Sequence, residues 1–208
     1  MPIFDVTLPL GPGTPIYPGD APFTFEMYRR LADGATSNNS RFSMGSHDGT
    51  HIDAPLHFIA GGATVPEIPP EVLVGPCLLV DVGPVDIITP EVLARLDLAG
   101  RERILFRTAN SAWISTRFEE KFVAFSAGAA RRLVELGPRL IGIDAPSLDP
   151  RGTAGHPAHQ AILGSGRIKG AIEWLNLAGL ETGEYELFCG PLRIVDAEGA
   201  PCRVFLRR

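Results

Sequence analysis

Apolar residues in this chain gather in short runs of four to six positions, separated by glycine, proline and acidic residues. Runs rich in branched and aromatic side chains at residues 77–82, 103–107, 139–143, 184–189, 192–195 and 202–206 predict strands. Two segments carry helix start signals instead. Thr89 precedes Pro90 and Glu91 and opens a predicted helix to Leu96, and Ser126 precedes a helical run at 127–136 that Gly137 ends. Extended runs outnumber helices, and some are only a short turn apart, as at Asp196-Ala197-Glu198-Gly199. The expected fold class is α/β, a mixed sheet with a few covering helices. Nineteen prolines and 23 glycines are spread over the whole length, with no repeat and no low-complexity linker, so one domain spanning 1–208 is expected.

Composition narrows the function classes. A chain that is 45% hydrophobic and 21% charged reads as an ordinary globular protein. No window approaches the roughly 18 apolar residues of a membrane span. The net charge of −5 offers no basic field for phosphates, and Arg131-Arg132 falls on a helical run where a solvated face is expected, so nucleic acid is not an expected partner. Cys77, Cys189 and Cys202 are odd in number, widely spaced and set in apolar runs, which reads as buried thiols. Met1-Pro2-Ile3-Phe4-Asp5 lacks the basic and apolar regions of a secretory signal, and a cytoplasmic location is expected.

The chemistry lies in the histidines. All five fall in two stretches, His47, His51 and His57 in one and His156 and His159 in the other. Imidazole is the commonest metal ligand, and two distant stretches can close a site that neither builds alone. His47 and His51 are four apart, but Gly49 between them and Pro55 beyond argue against a helix. A turn running into a short strand would converge His47, His51 and Asp53, because residues two apart share one strand face. Histidine and carboxylate without thiolate describe an open catalytic metal site better than a closed structural one. Asp48 follows His47, where its charge could tune a metal or cap the turn, and the cap is the favoured reading. No Gly-x-Ser-x-Gly elbow supports a serine nucleophile, since Gly164-Ser165-Gly166 lacks its spacing. Glu173 is the only acidic residue between Asp149 and Glu181 and lies in an apolar run, where a buried carboxylate needs a partner such as a metal ion.

The segment from 47 to 57 reads His-x-Gly-Thr-His-x-Asp-x-Pro-x-His. It resembles the signature of the cyclase-type metal-dependent hydrolases, the family that includes bacterial kynurenine formamidase. Further likenesses occur in the same order: Leu10-Gly11-Pro12-Gly13-Thr14-Pro15-Ile16-Tyr17-Pro18-Gly19-Asp20, then Gly142-Ile143-Asp144-Ala145-Pro146-Ser147-Leu148-Asp149, then Gly183-Glu184-Tyr185-Glu186-Leu187. The resemblance implies a swivelling β/β/α-type domain, with His47, His51 and Asp53 as metal ligands and His57 as the catalytic histidine. It implies His159 and Glu173 as the distal ligands. His159 is preferred to His156 because it is followed by the family's apolar stretch, although the spacing to Glu173 is slightly longer than the family's.

Five such ligands, with Asp53 and Glu173 able to bridge, fit two divalent ions per subunit, zinc first and manganese second. The implied reaction is hydrolysis of N-formylkynurenine to kynurenine and formate, with His57 moving protons. A cyclic amide such as isatin is the alternative substrate, and a metal-binding module without turnover the alternative class. Tyr17 stands where the kynurenine formamidase branch commonly has tryptophan, and is the expected substrate contact. The resemblance also implies a homodimer or tetramer.

Overall fold

The computed structural model describes all 208 residues. In chain order the elements are β1 (Ile3–Asp5), β2 (Thr24–Arg29), β3 (Asn39–Ser43), β4 (His51–Asp53), α1 (Pro70–Leu73), β5 (Val74–Asp81), α2 (Pro90–Leu93), β6 (Arg103–Arg107), α3 (Ala127–Leu136), β7 (Leu140–Ile143), α4 (Pro157–Leu163), β8 (Gly170–Glu173), β9 (Gly183–Pro191) and β10 (Gly199–Arg207). Eight strands form one sheet in the order β1-β10-β4-β8-β7-β6-β5-β9. β9 pairs with β10 as well as with β5, so the sheet closes on itself like a barrel. The run β5-β6-β7-β8 is parallel and the other pairings are antiparallel, which makes this the expected mixed sheet. No helix is long and apolar enough to cross a membrane.

The strand period of two divides the core. Cys77, Leu79, Leu105, Leu140, Ile172, Leu187 and Val204 fill one cluster inside the barrel. Val80, Ile104, Phe106, Ile141, Ile143 and Ala171 face outward into a second cluster, beneath Ala129, Ala130 and Leu133 of α3 and Ile162 of α4. Each such fully buried aliphatic side chain contributes about 1.5–3 kcal/mol. Helix α3 forms where expected. The Ser126 hydroxyl accepts the Ala129 N–H at 3.1 Å, and Gly137 ends the helix at φ 74.

Two expectations need correction. Residues 192–195 are not a strand but the connection between β9 and β10, with Leu192, Ile194 and Val195 at 50%, 46% and 79% exposure. Their branched side chains find no neighbouring ladder. The α2 helix stops at Leu93 rather than Leu96. β4 is the short strand expected to bring His51 and Asp53 onto one face, whereas β8 is not among the predicted strands.

Candidate metal centre

β4 lies between β10 and β8, and the register sets His51 directly opposite Glu173. Ile52 and Ile172 point into the barrel. By strand alternation His51, Asp53 and Glu173 therefore share the outer face, where α4 packs and delivers His159. All four are buried. The turn before β4 carries His47; within it Asp48 accepts the Gly45 N–H at 2.7 Å, the expected cap.

Asp53 faces three imidazoles and Glu173 two. Asp53 Oδ1 lies 2.8 Å from His47 Nδ1 and 3.1 Å from His51 Nε2, and its Oδ2 lies 3.7 Å from His159 Nε2. Glu173 Oε2 lies 3.5 Å from His51 Nε2, and Oε1 lies 3.2 Å from His159 Nε2. The second nitrogens are held from outside. His51 Nδ1 is 2.9 Å from the Gly49 carbonyl, which can only accept, so Nδ1 carries the proton. His51 Nε2 then presents a lone pair to two carboxylates. It has no hydrogen-bond partner, and neither does Asp53 Oδ2. Buried acceptors facing one another call for a cation between them, and imidazole and carboxylate donors suit a divalent metal. His159 Nδ1 is held by Asp149 Oδ2 at 2.6 Å, the usual way a carboxylate orients a ligating histidine.

The charges respond accordingly. Burial opposes protonation of His47, but the hydrogen bond and charge of Asp53 raise it to about 9. Burial likewise opposes His159, yet Asp149, Asp53 and Glu173 hold its proton well above the usual range. Burial and the Asp53 charge push the Glu173 carboxyl up. Without a metal the cluster gathers protons in its place. His57 behaves oppositely: burial, reinforced by the neighbouring imidazoles against the pull of Asp53, lowers it to about 4. It sits on the 3-10 turn Pro55–His57, its ring stacked on His47 at 3.9 Å between centroids.

These groups open into a cleft of about 170 Å³ lined by Tyr17, Phe58, Ser147 and His156 among others. Tyr17 is half-buried and meets Phe118 edge-on at 5.4 Å. His156 is exposed at φ 44 at the head of α4, with a donor atom within 4.8 Å of those of Asp149 and His159 and its ring 6.0 Å from that of His159. Sequence reasoning missed three supporting residues. Asp149 orients His159, Glu198 Oε1 lies 3.2 Å from His47 Nε2, and Gly199 leaves room for the His47 ring. Only Asp149 had a signal, its place in a family-like segment.

A closed mixed barrel with helices outside, and a buried imidazole and carboxylate cluster on its outer wall, defines an α/β protein with a candidate metal centre. Residues 4–150 match the Cyclase family. A kynurenine formamidase from Salinibacter ruber is 34% identical over 100% of this chain and 98% of its own. A protein from Bacillus stearothermophilus described as a "predicted metal-dependent hydrolase" superposes with a TM-score of 0.86 at 36% identity, covering 99% and 97% of the two chains. Isatin hydrolase A from Labrenzia aggregata superposes at 0.83 with 28% identity, covering 99% and 93%. The chain belongs to the Cyclase family.

Proposed function

We propose that this chain is a metal-dependent amidohydrolase that converts N-formylkynurenine to kynurenine and formate. The observation that carries the reading is the unpartnered His51 Nε2 between the carboxylates of Asp53 and Glu173. His47, His51, Asp53, His159 and Glu173 would hold two divalent ions, zinc or else manganese. Bound there, such ions act as Lewis acids toward a carbonyl oxygen and make a coordinated water acidic near neutral pH.

The chain's own groups do the rest. His57, neutral at physiological pH, accepts a proton from the attacking water and returns it to the aryl nitrogen as the C–N bond breaks. Asp149 fixes the ring of His159, and Tyr17 and Phe58 wall the cleft where an aromatic ring would lie. Isatin is the second reading, favoured by the likeness to isatin hydrolase A, but the formamidase relative is more similar and spans both chains.

The test is hydrolysis of N-formylkynurenine beside isatin by the zinc-loaded and manganese-loaded protein, with His57→Ala as the variant. Turnover of His57→Ala is expected to fall about 10²–10⁴-fold with metal content retained. Unchanged turnover would remove His57 from its role.

One domain, 1–208, carries all these groups in this reading. A homodimer or tetramer is supported by the β2–β3 hairpin, which leaves Phe25, Tyr28 and Phe42 at 51%, 55% and 59% exposure. A two-stranded hairpin is marginal alone. Three free buried thiols accord with the reducing cytoplasm.

A further inference from the structure

The cleft wall contains one imidazole that the hydrolysis described above does not use. His156 is exposed, lines the cleft together with Phe58, and does not cap the helix it precedes. Its backbone stands at φ 44 and ψ 58. That left-handed conformation is costly for a residue with a Cβ, and more so before Pro157, because proline pushes its predecessor toward extended backbone. Three hydrogen bonds hold it there. The Asp149 carboxylate accepts the Ala158 and His159 N–H groups at 2.8 and 3.1 Å, and the His156 carbonyl accepts the Gln160 N–H at 3.0 Å. The Gln160 side chain donates to the Phe58 carbonyl at 3.2 Å, which ties α4 to the turn that carries His57. The His156 ring accordingly lies 5.1 Å from the Phe58 ring and 6.0 Å from that of His159. An imidazole offers at least one N–H in either protonation state.

N-formylkynurenine and isatin share more than an amide on an aromatic ring. Each carries a ketone on the ring carbon next to the one that bears the nitrogen. With the amide at the metal centre and the ring against Phe58, that ortho position is the part of the substrate that meets His156. We propose that His156 donates a hydrogen bond to the ortho ketone, and that the substrates of this chain are aryl amides with an ortho carbonyl. The assignment rests on the amidohydrolase reading of the same site. Once the amide carbonyl is attacked, the nitrogen lone pair is released from it into the ring and onto the ketone oxygen, which becomes the stronger acceptor. The hydrogen bond therefore tightens toward the transition state and acts on kcat as well as on KM.

The test compares kcat/KM for 2-formamidoacetophenone and for N-formylaniline, which has the same scissile bond and no ketone, using the zinc-loaded full chain. The intrinsic reactivities of the two amides cancel when their ratio is compared between variants. His156→Gly removes the ring and suits a positive φ, so the fold is retained; it is expected to lower the ratio about tenfold, in kcat as well as KM. His156→Asn also tolerates this backbone and keeps an N–H donor, and should retain part of the preference. Arg132→Gln, on the exposed face of α3, should leave it as in the wild type. A purely structural His156 would slow both substrates alike, so an unchanged ratio in His156→Gly overturns the proposal. If the wild type hydrolyses neither formamide, the formamidase reading fails by itself, and calorimetric titration with 2-aminoacetophenone beside aniline then decides. Tighter binding of the ketone that His156→Gly loses supports the proposal, and equal binding or none by the wild type overturns it.

Discussion

Position 199 shows how little room the centre leaves. A Cβ on Gly199 would come 2.5 Å from His47 Cε1, with ring nitrogens at 2.9 and 3.1 Å. The neighbouring Glu198 holds the same ring through Nε2, so the imidazole is confined on both sides. Gly199→Ala should therefore turn His47 away from Asp53 and weaken zinc binding about 10–100-fold, as loss of an outer-shell support does. Competition against a chromophoric chelator would measure it, and undiminished affinity would show that the ring can shift without loss. The ligand residues themselves were legible, because His47, His51 and Asp53 lie within seven positions and their types and spacing are local facts. Gly199 and Glu198 read only as a turn, since nothing near them in the chain mentions a histidine 151 or 152 positions away.

Among the elements, β4 holds the centre together, and Thr50 ties it in place. Its hydroxyl accepts the Leu8 N–H at 2.8 Å and donates to the Trp174 carbonyl at 2.6 Å. Trp174 follows Glu173 immediately and stands at φ 55, a strained conformation for a bulky residue that costs about 1–3 kcal/mol. Its N–H is held by the Ala145 carbonyl at 2.9 Å. Thr50→Val keeps the shape but strands both buried backbone groups, so stability should fall by about 2–4 kcal/mol. Urea unfolding is the measurement; a loss under about 0.5 kcal/mol would mean that the two segments find other partners. Sequence periodicity found β5, β6, β7, β9 and β10, because burial makes a continuous apolar run, and missed the exposed β2 and β3. It missed β8, whose outward position is spent on Glu173, while β4 was expected from the spacing of His51 and Asp53 and not from an apolar run. It also promoted 192–195 to a strand, since branched residues signal β propensity but not a neighbour to pair with.

Across the whole molecule the centre couples charge to fold. His47 has its folded pKa raised to about 9, so its stabilising contribution in the metal-free protein is complete below about 6.5 and is lost as pH rises through 9. His57 has its folded pKa lowered to about 4, so its contribution is present above about 6.5 and is lost as pH falls toward 4. On these two groups the metal-free fold should be most stable near pH 6.5. Metal must displace the His47 proton, so zinc affinity should rise up to about tenfold per pH unit between 7 and 9. Calorimetric titrations at pH 7, 8 and 9 would show it, and a flat profile would refute the protonated His47. Chelation should in turn lower the thermal midpoint, because the metal binds only the folded arrangement.

The amino-acid sequence by itself determined the kind of chemistry available. One motif supplied the imidazoles and a carboxylate, its spacing of two set His51 and Asp53 on a common strand face, and the mixed composition of runs specified an α/β fold. Tertiary structure decided what those groups meet. The β4–β8 register brings Glu173 opposite His51, α4 sets His159 under Asp149, and the start of β10 lays Gly199 against His47. The physical reason is that side-chain type and period are written locally. Strand register and the packing of a helix on a barrel wall are chosen by burial summed over the whole chain.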